Sequence, residues 1–304
     1  MMIGAVAEAA EARLGSVRVV KDLGKKRCFV TGAASGIGRA TAIAAGRRGA
    51  NLLLTDIDSE GLEQAAAETR VAGGTVGFSK AADVSDYEAV AALASDVHAA
   101  GGSVDVVMNV AGISTWGRVE ELSHEDWRRQ VDVNLMGPIH VIECFVPPMI
   151  EAGRGGHLVN VSSAAGLFGL PWHAAYSAAK FGLRGVSEVL RFDLERHGIG
   201  VTLVCPGAVD TPLVERVNIV GDLDRESPEA QSFIRRFREH AVSPEDVGEQ
   251  IVRAIEKNRY LVMTSRDIRV GHWFQRKFEP AYRLAMRRLN DRFEAIAEKS
   301  RRPG

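Results

Sequence analysis

Short apolar runs alternate with longer Ala-rich stretches along most of this chain. The runs lie at 28–31, 51–55, 75–78, 104–109, 156–161, 200–205 and 259–263, separated by stretches of helical length such as 59–72, 85–100, 123–151 and 175–197. Within the runs the apolar residues are continuous rather than alternating, as in strands buried on both faces. Seven such strands with helices between them predict an α/β fold, a doubly wound parallel sheet in a single domain, because crossovers deliver helices to both faces. The pattern divides the chain into an N-terminal arm over 1–24, an α/β core over 25–265 and a C-terminal extension over 266–304. A long irregular piece at about 207–243 carries Pro206 at its edge and Pro212 and Pro228 within it, and a piece of that length in a compact domain reads as a binding segment or lid.

Composition narrows the class. Of 304 residues, 46% are hydrophobic and 25% charged, values of a globular chain rather than a disordered or fibrous one. The net charge of −1 gives no reason to expect a nucleic-acid partner. That average hides a split, because residues 259–304 hold twelve Lys/Arg against five Asp/Glu, net +7, which leaves −8 for the rest. Cys28, Cys144 and Cys205 lie far apart without a CxxC pair, so reduced thiols and no metal site are expected. Glu8 and Glu11 interrupt the apolar start, which lacks a basic lead and does not read as a signal peptide. No uncharged run nears the roughly 20 residues of a membrane span, and a cytoplasmic location is expected.

Two stretches carry candidate chemistry. After the first strand comes Thr31-Gly32-Ala33-Ala34-Ser35-Gly36-Ile37-Gly38, opening a helix. Glycines at a strand-to-helix turn allow tight curvature, close approach of a pyrophosphate and close helix packing, and the helix start offers free N–H groups to an anion. A Gly-rich turn without a ligand is the plainer reading. Asp56 ends the second strand 18 residues beyond Gly38, where an acid can accept both ribose hydroxyls and repel a 2′-phosphate. With Ser35 rather than a cation before Gly36, this favours NAD over NADP; Arg39 and Arg47 argue the other way unless they are helix-surface charges.

The second stretch is Ser162-Ser163 followed by Tyr176-Ser177-Ala178-Ala179-Lys180. Tyr176 and Lys180 are four apart in a helical stretch and share a face, so the ammonium can sit near the phenol. A nearby cation favours phenolate and should draw the Tyr176 pKa down toward neutrality, as a general acid/base requires.

Together these residues resemble the short-chain dehydrogenase/reductase family in its common form, over roughly residues 25–265 and with the motifs in family order. Thr31-Gly32-x-x-x-Gly36-Ile37-Gly38 resembles its cofactor turn, and Asp83-Val84 the pair that contacts adenine. Asn109-Val110-Ala111-Gly112 stands where the family has Asn-Asn-Ala-Gly, with Val110 a departure. The resemblance implies a Rossmann-type fold and a catalytic set of Asn134, Ser163, Tyr176 and Lys180. Ser163 rather than Ser162 is assigned because it lies 13 residues before Tyr176, the family interval. Pro206-Gly207, Val209 and Thr211 match the nicotinamide turn. The implied cofactor site is Gly32, Ser35, Gly36, Ile37, Gly38, Asp56, Asp83, Val84, Asn109, Ala111, Gly112, Tyr176, Lys180, Pro206, Gly207, Val209 and Thr211. Tyr176 would exchange a proton with the substrate oxygen, Ser163 would bond that oxygen, Lys180 would bind the nicotinamide ribose, and Asn134 would hold a water in a proton relay.

Family topology puts the substrate near Trp116, Phe168, Leu170 and Trp172 and the segment 208–243. These side chains imply a lipophilic alcohol or ketone, although aromatics there can equally be packing residues. His173 reads as a structural histidine rather than a substrate contact. In the extension, Trp273, Phe274, Phe278, Tyr282, Leu284, Met286, Leu289 and Phe293 suggest a helix with an apolar and a basic side. Docking over the substrate entrance or on a neighbouring subunit is the preferred reading, with peripheral membrane contact as the alternative. The helices around 123–151 and 175–197 are those through which the resembling family forms homodimers and homotetramers. A non-catalytic dinucleotide sensor and a membrane-associated scaffold are the competing functions.

Overall fold

The computed structural model describes residues 20–221, 227–239 and 241–300. Seven parallel strands form the main sheet: β1 (Arg27–Thr31), β2 (Asn51–Thr55), β3 (Thr75–Ser79), β4 (Val106–Asn109), β6 (Gly156–Val161), β7 (Ile199–Cys205) and β9 (Leu261–Met263), in the order β3-β2-β1-β4-β6-β7-β9. This is the Rossmann-type doubly wound fold in one domain, as the alternation predicts. Strands β4, β6 and β7 are buried throughout, whereas β3, at the edge, alternates between half-buried and exposed positions. An edge strand lacks one neighbour, so its continuous apolar reading fails.

The helices follow the strands. On one face lie α1 (Gly36–Gly46), α2 (Ser59–Val71) and α9 (Pro244–Glu256). On the other lie α3 (Tyr87–Ala99), α4 (His124–Val131), α5 (Gly137–Ala152) and α6 (Ala174–Asp193). Starts are capped by short polar side chains: Asp58 accepts from Gly61 N, Asp86 from Glu88 N and Ala89 N, and Ser123 forms a reciprocal capping box with Asp126. Each such cap stabilises by about 1 kcal/mol. Small residues set the closest packing, for a Cβ on Gly248 of α9 would stand 2.8 Å from the Ala40 carbonyl carbon of α1. Arg48 then joins the same two helices through Glu249 and Glu256. Across the sheet, Phe29 stacks on Phe145 with centroids 4.2 Å apart.

Three features depart from the expected organisation. The stretch 123–151 is one continuous helix, but a π-turn over Asp132–Met136 lies within it, between α4 and α5. Its length and apolar content would suit a membrane span, yet it supplies the core with Val141, Phe145, Val146 and Met149. The piece 207–243 holds structure of its own, with α7 (Pro212–Arg216), β8 (Asn218–Ile219) and α8 (Pro228–Glu239). Two-residue β8 pairs in parallel with β5 (Thr115–Trp116) as a separate sheet. Residues 222–226 and 240 of that segment lie outside the described residues, as do 1–19 of the arm. Val20 and Leu23 are buried in the core, so the packed body begins before residue 25.

The C-terminal extension is a helical pair, α10 (Arg266–Lys277) and α11 (Glu279–Ser300). It docks on the body, burying Ile268, Phe293 and Ala297, and Tyr282 Oη donates to Gly169 O at 2.9 Å.

Candidate active site

The strand order reverses between β1 and β4, and the crevice at their carboxyl ends is where open α/β sheets bind ligands. Gly32 and Gly36 of the turn after β1 have φ of +66° and +51°. A Cβ on Gly32 would stand 2.7 Å from Ala111 Cα, and one on Gly36 would stand 3.0 Å from Thr211 Cγ2. Only a glycine combines that conformation with that closeness. The turn is thereby drawn against the loop after β4 on one side and the loop after β7 on the other. Thr31 Oγ1 strengthens the first contact by accepting from Val110 N and Ala111 N at 3.0 and 3.1 Å. Ser35 stands at the N-cap of α1 without a side-chain capping bond, and the first turn carries no acid. Helix N–H groups at such an end are open to an anion.

Asp56 belongs to the same crevice. Its carboxylate accepts from Ala34 N at 2.9 Å through one oxygen and from Asp58 N at 3.0 Å through the other. Each oxygen keeps a lone pair for a ribose hydroxyl. Arg39 is engaged by Glu68, as a helix-surface charge would be, and Arg47 is exposed. Asp83 accepts from Ser85 N and Oγ, while Val84 is buried against the Cα of Gly137 and its carbonyl meets His140 Nδ1 at 3.0 Å.

The four side chains expected to carry the chemistry converge from three elements. Lys180 and Tyr176 project from α6, Ser163 follows β6, and Asn134 sits in the π-turn. Lys180 is almost wholly buried, and Nζ donates to Val161 O at 3.0 Å. Burial lowers its pKa to about 8. Nζ lies 5.7 Å from the Tyr176 ring centroid, and the Tyr176 hydroxyl hydrogen-bonds Ser163. Desolvation of that hydroxyl pushes the Tyr176 pKa up, and the Ser163 bond opposes this. The expected downward pull by Lys180 therefore does not set the direction, because a dry surrounding disfavours phenolate and the ammonium is itself weakened by burial.

Asn134 is held on both ends of its amide, Oδ1 accepting from Ile113 N at 3.1 Å and Nδ2 donating to Ile113 O at 2.9 Å. A Cβ on Gly112 would come within 2.7 Å of Asn134 Oδ1 and 3.4 Å of Lys180 Nζ, so Gly112 is the window between those two groups. Beneath them runs a buried polar chain, Asn109 Nδ2 to Asn160 Oδ1 at 2.9 Å and Asn160 Nδ2 to Ser187 Oγ at 3.0 Å. It ties β4, β6 and α6 together and fixes where the Tyr176 helix stands. Neither Asn160 nor Ser187 carries a sequence signal, since their partners are 27 to 51 residues away.

After β7, Pro206 O accepts from Ala164 N at 2.8 Å and Gly207 N reaches Thr264 Oγ1 at 3.3 Å. Val209 is buried and bridges Val242, while Thr211 faces Gly36. His173 is the structural histidine expected: buried, bonded to Pro171 O at 2.6 Å and with a pKa lowered to about 4 by burial. Its ring lies 4.4 Å from Trp116 and 6.2 Å from Tyr176.

The aromatic residues expected near substrate divide. Trp116 is half-buried beside His173, and its Nε1 donates to Ser114 Oγ at 2.7 Å. Phe168 is buried with Ile268 beneath the extension, Leu170 packs beside it, and Trp172 is gripped by Glu294 of α11. Phe168 is thus a packing residue of the extension interface.

The comparisons agree with this geometry. The family model for short chain dehydrogenases matches residues 26–219. Probable oxidoreductase EphD of Mycobacterium tuberculosis is 37% identical over 233 residues, which cover 76% of this chain but only 39% of that protein. C alpha-dehydrogenase of Sphingobium is 32% identical over 260 residues, covering 83% of this chain and 84% of that one. Among solved structures, a short-chain dehydrogenase/reductase from Burkholderia phymatum in complex with NAD has a TM-score of 0.76 at 30% identity, covering 84% of this chain and 94% of its own. A metagenomic short-chain oxidoreductase in complex with NADP has a TM-score of 0.63 at 31% identity, covering 79% and 96%. Fold, motif order and sequence thus lead to one conclusion: the chain belongs to the short-chain dehydrogenase/reductase family.

Proposed function

We propose that the chain is an NAD-dependent oxidoreductase that moves a hydride between nicotinamide and a lipophilic secondary alcohol or ketone. The observation that carries this reading is the convergence of Ser163, Tyr176 and Lys180 beside the glycine turn at the sheet's switch point. The crevice suits a dinucleotide. Its helix end is uncapped, its glycines leave room for close approach, and Asp56 offers two acceptors to a ribose. The amides of Ser35, Gly36 and Ile37 would hold the pyrophosphate. Asp83, Val84, Asn109, Ala111 and Gly112 would line the adenosine and ribose path, and Pro206, Gly207, Val209 and Thr211 the nicotinamide end. Bound nicotinamide supplies the hydride acceptor or donor.

The chain's own residues handle the proton. With its pKa raised, Tyr176 is a phenol at neutral pH and suits protonation of a carbonyl oxygen as that oxygen gains charge. Ser163 Oγ, fixed by accepting from Ala165 N at 3.1 Å, bonds the same oxygen. Lys180 stabilises the phenolate left behind and holds the nicotinamide ribose, and Asn134 keeps the Gly112 window in shape. In the oxidative direction Tyr176 must first lose its proton, so alcohol oxidation rises with pH above neutrality.

NAD is preferred over NADP in this reading because Asp56 opposes a 2′-phosphate and Arg39 is committed to Glu68. A sensor without catalysis would not require the four reacting residues, all of which are in place. Exposed Phe181, Val189 and Phe192 on α6 support assembly into homodimers or homotetramers. Tyr176→Phe should abolish turnover in a screen of secondary alcohols and ketones followed by NADH absorbance, while NADH binding by fluorescence stays within threefold. Wild-type turnover in that variant would sink the assignment.

A further inference from the structure

A polar and aromatic cluster outside the reacting residues joins the extension to the substrate side of the crevice. Arg118, between β5 and α4, donates from Nε and Nη2 to Glu294 Oε2 at 2.9 and 2.6 Å, and from Nη1 to Glu121 Oε1 at 2.9 Å. The other oxygen of Glu294 accepts from Trp172 Nε1 at 3.1 Å, and the Arg118 guanidinium lies 5.1 Å from the Trp172 ring centroid. Phe293, next along α11, is buried with its ring 5.6 Å from the same indole. Hydrogen bonding to Glu294 raises the Arg118 pKa, so the guanidinium keeps its charge at any working pH.

Two observations give the cluster a role beyond attachment. Trp172 has a φ of +63°, a costly conformation for a bulky residue and one that persists only where its surroundings enforce it. Glu294 holds its indole, while the Trp172 carbonyl accepts from Gly117 N at 2.9 Å. The next residue is His173, whose ring fills the space between Trp116 and Tyr176. The turn that Glu294 grips is therefore continuous with the wall beside the reacting phenol. In addition, α11 packs on α8 of the segment 208–243, so one helix touches both that segment and the Trp172 turn.

We propose that α11 is a wall of the substrate site and that Glu294 is a positioning residue, holding Trp172 and the Trp116/His173 face in the shape that receives the carbon skeleton of the substrate. This rests on the alcohol/ketone reading above. A surface ion pair contributes little alone, but this one is shared with an indole and shielded, the Arg118 side chain being 14% exposed.

The test uses the full chain with Glu294→Ala, Arg118→Ala and the double variant. In steady-state kinetics, Glu294→Ala should raise KM for the best alcohol or ketone at least tenfold with kcat changed less than threefold and NADH affinity unchanged. The double variant should lie within twofold of the worse single, since both changes break one grip. Amide hydrogen exchange should rise at least fivefold over 168–175 as well as in α11. A mere staple would loosen α11 and leave KM and 168–175 unmoved, which would overturn the proposal, as would additive single effects. If no alcohol or ketone is turned over by the wild-type chain, the functional reading fails separately. The positioning claim then stands or falls on exchange over 168–175.

Discussion

A single carboxylate, that of Asp56, shapes the fold of the crevice and, in the NAD reading proposed above, its selectivity. Its bonds to Ala34 N and Asp58 N fix the glycine turn against the end of β2, and the same charge faces the place where a ribose would lie. Asp56→Asn keeps one of the two oxygen acceptors and removes the charge, so the turn is weakened by one bond while repulsion of a 2′-phosphate is lost. The wild-type chain is expected to favour NAD, and the variant to lower the NAD/NADP ratio of kcat/KM at least tenfold, equivalent to about 1.4 kcal/mol. Side-by-side kinetics on one substrate measures this, and an NADP preference in the wild type would refute it. The reacting residues teach a related lesson. The four-residue spacing of Tyr176 and Lys180 announces a shared face, but the direction of the Tyr176 pKa depends on how dry its hydroxyl is, which spacing does not record.

Elements were legible where their cause is local. Continuous apolar runs gave all seven main strands within a few residues, and the glycine turn and the Tyr176/Lys180 face follow from near neighbours. What escaped depends on distant contacts. Nothing in the helical pattern of 123–151 marks the π-turn that aims Asn134 at Ile113, and two-residue strands such as β5 and β8 carry no period. Phe168 reads as a pocket residue because Ile268, which it packs against, lies 100 residues downstream, and the Glu294 that holds Trp172 is equally remote. The glycine turn also yields a test of how closely α1 approaches β1. A Cβ on Gly38 would stand 1.9 Å from the Gly32 carbonyl oxygen, a backbone atom that cannot step aside. Gly38→Ala should therefore push α1 off the turn, costing roughly 1–3 kcal/mol in denaturant unfolding. NADH affinity should fall at least tenfold by fluorescence titration, and an unchanged affinity would show that α1 can shift without cost.

The whole molecule combines a body of negative charge with a basic extension, yet an ion pair between them runs the other way, from Arg118 of the body to Glu294 of the extension. Specific geometry therefore contributes to the docking beside bulk attraction. Acid sensitivity is likewise a property of a few buried groups. His157 of β6 donates from Nε2 to Thr202 Oγ1 of β7 at 2.7 Å, since that hydroxyl gives its own proton to Arg259 O; Nδ1 is left dry, and burial lowers the His157 pKa to about 3. His173 is lowered to about 4 for the same reason. Both fold as neutral rings, while in the unfolded chain each takes up a proton near pH 6.5. The folded state is thus at full advantage above pH 6.5 and loses it as pH falls toward 4, by about 1.4 kcal/mol per pH unit for each ring. Denaturant unfolding at pH 7, 6 and 5 should show this decline before most carboxylates titrate. His157→Gln, whose amide nitrogen can replace the bond to Thr202, should reduce the slope between pH 6 and 5 by about 1 kcal/mol per pH unit whatever it does to stability at pH 7, the rest belonging to His173 and to His98 and His272, also lowered by burial. A slope equal to that of the wild type would mean that His157 is protonated in the fold and that the dry pocket between β6 and β7 is not as the structure has it.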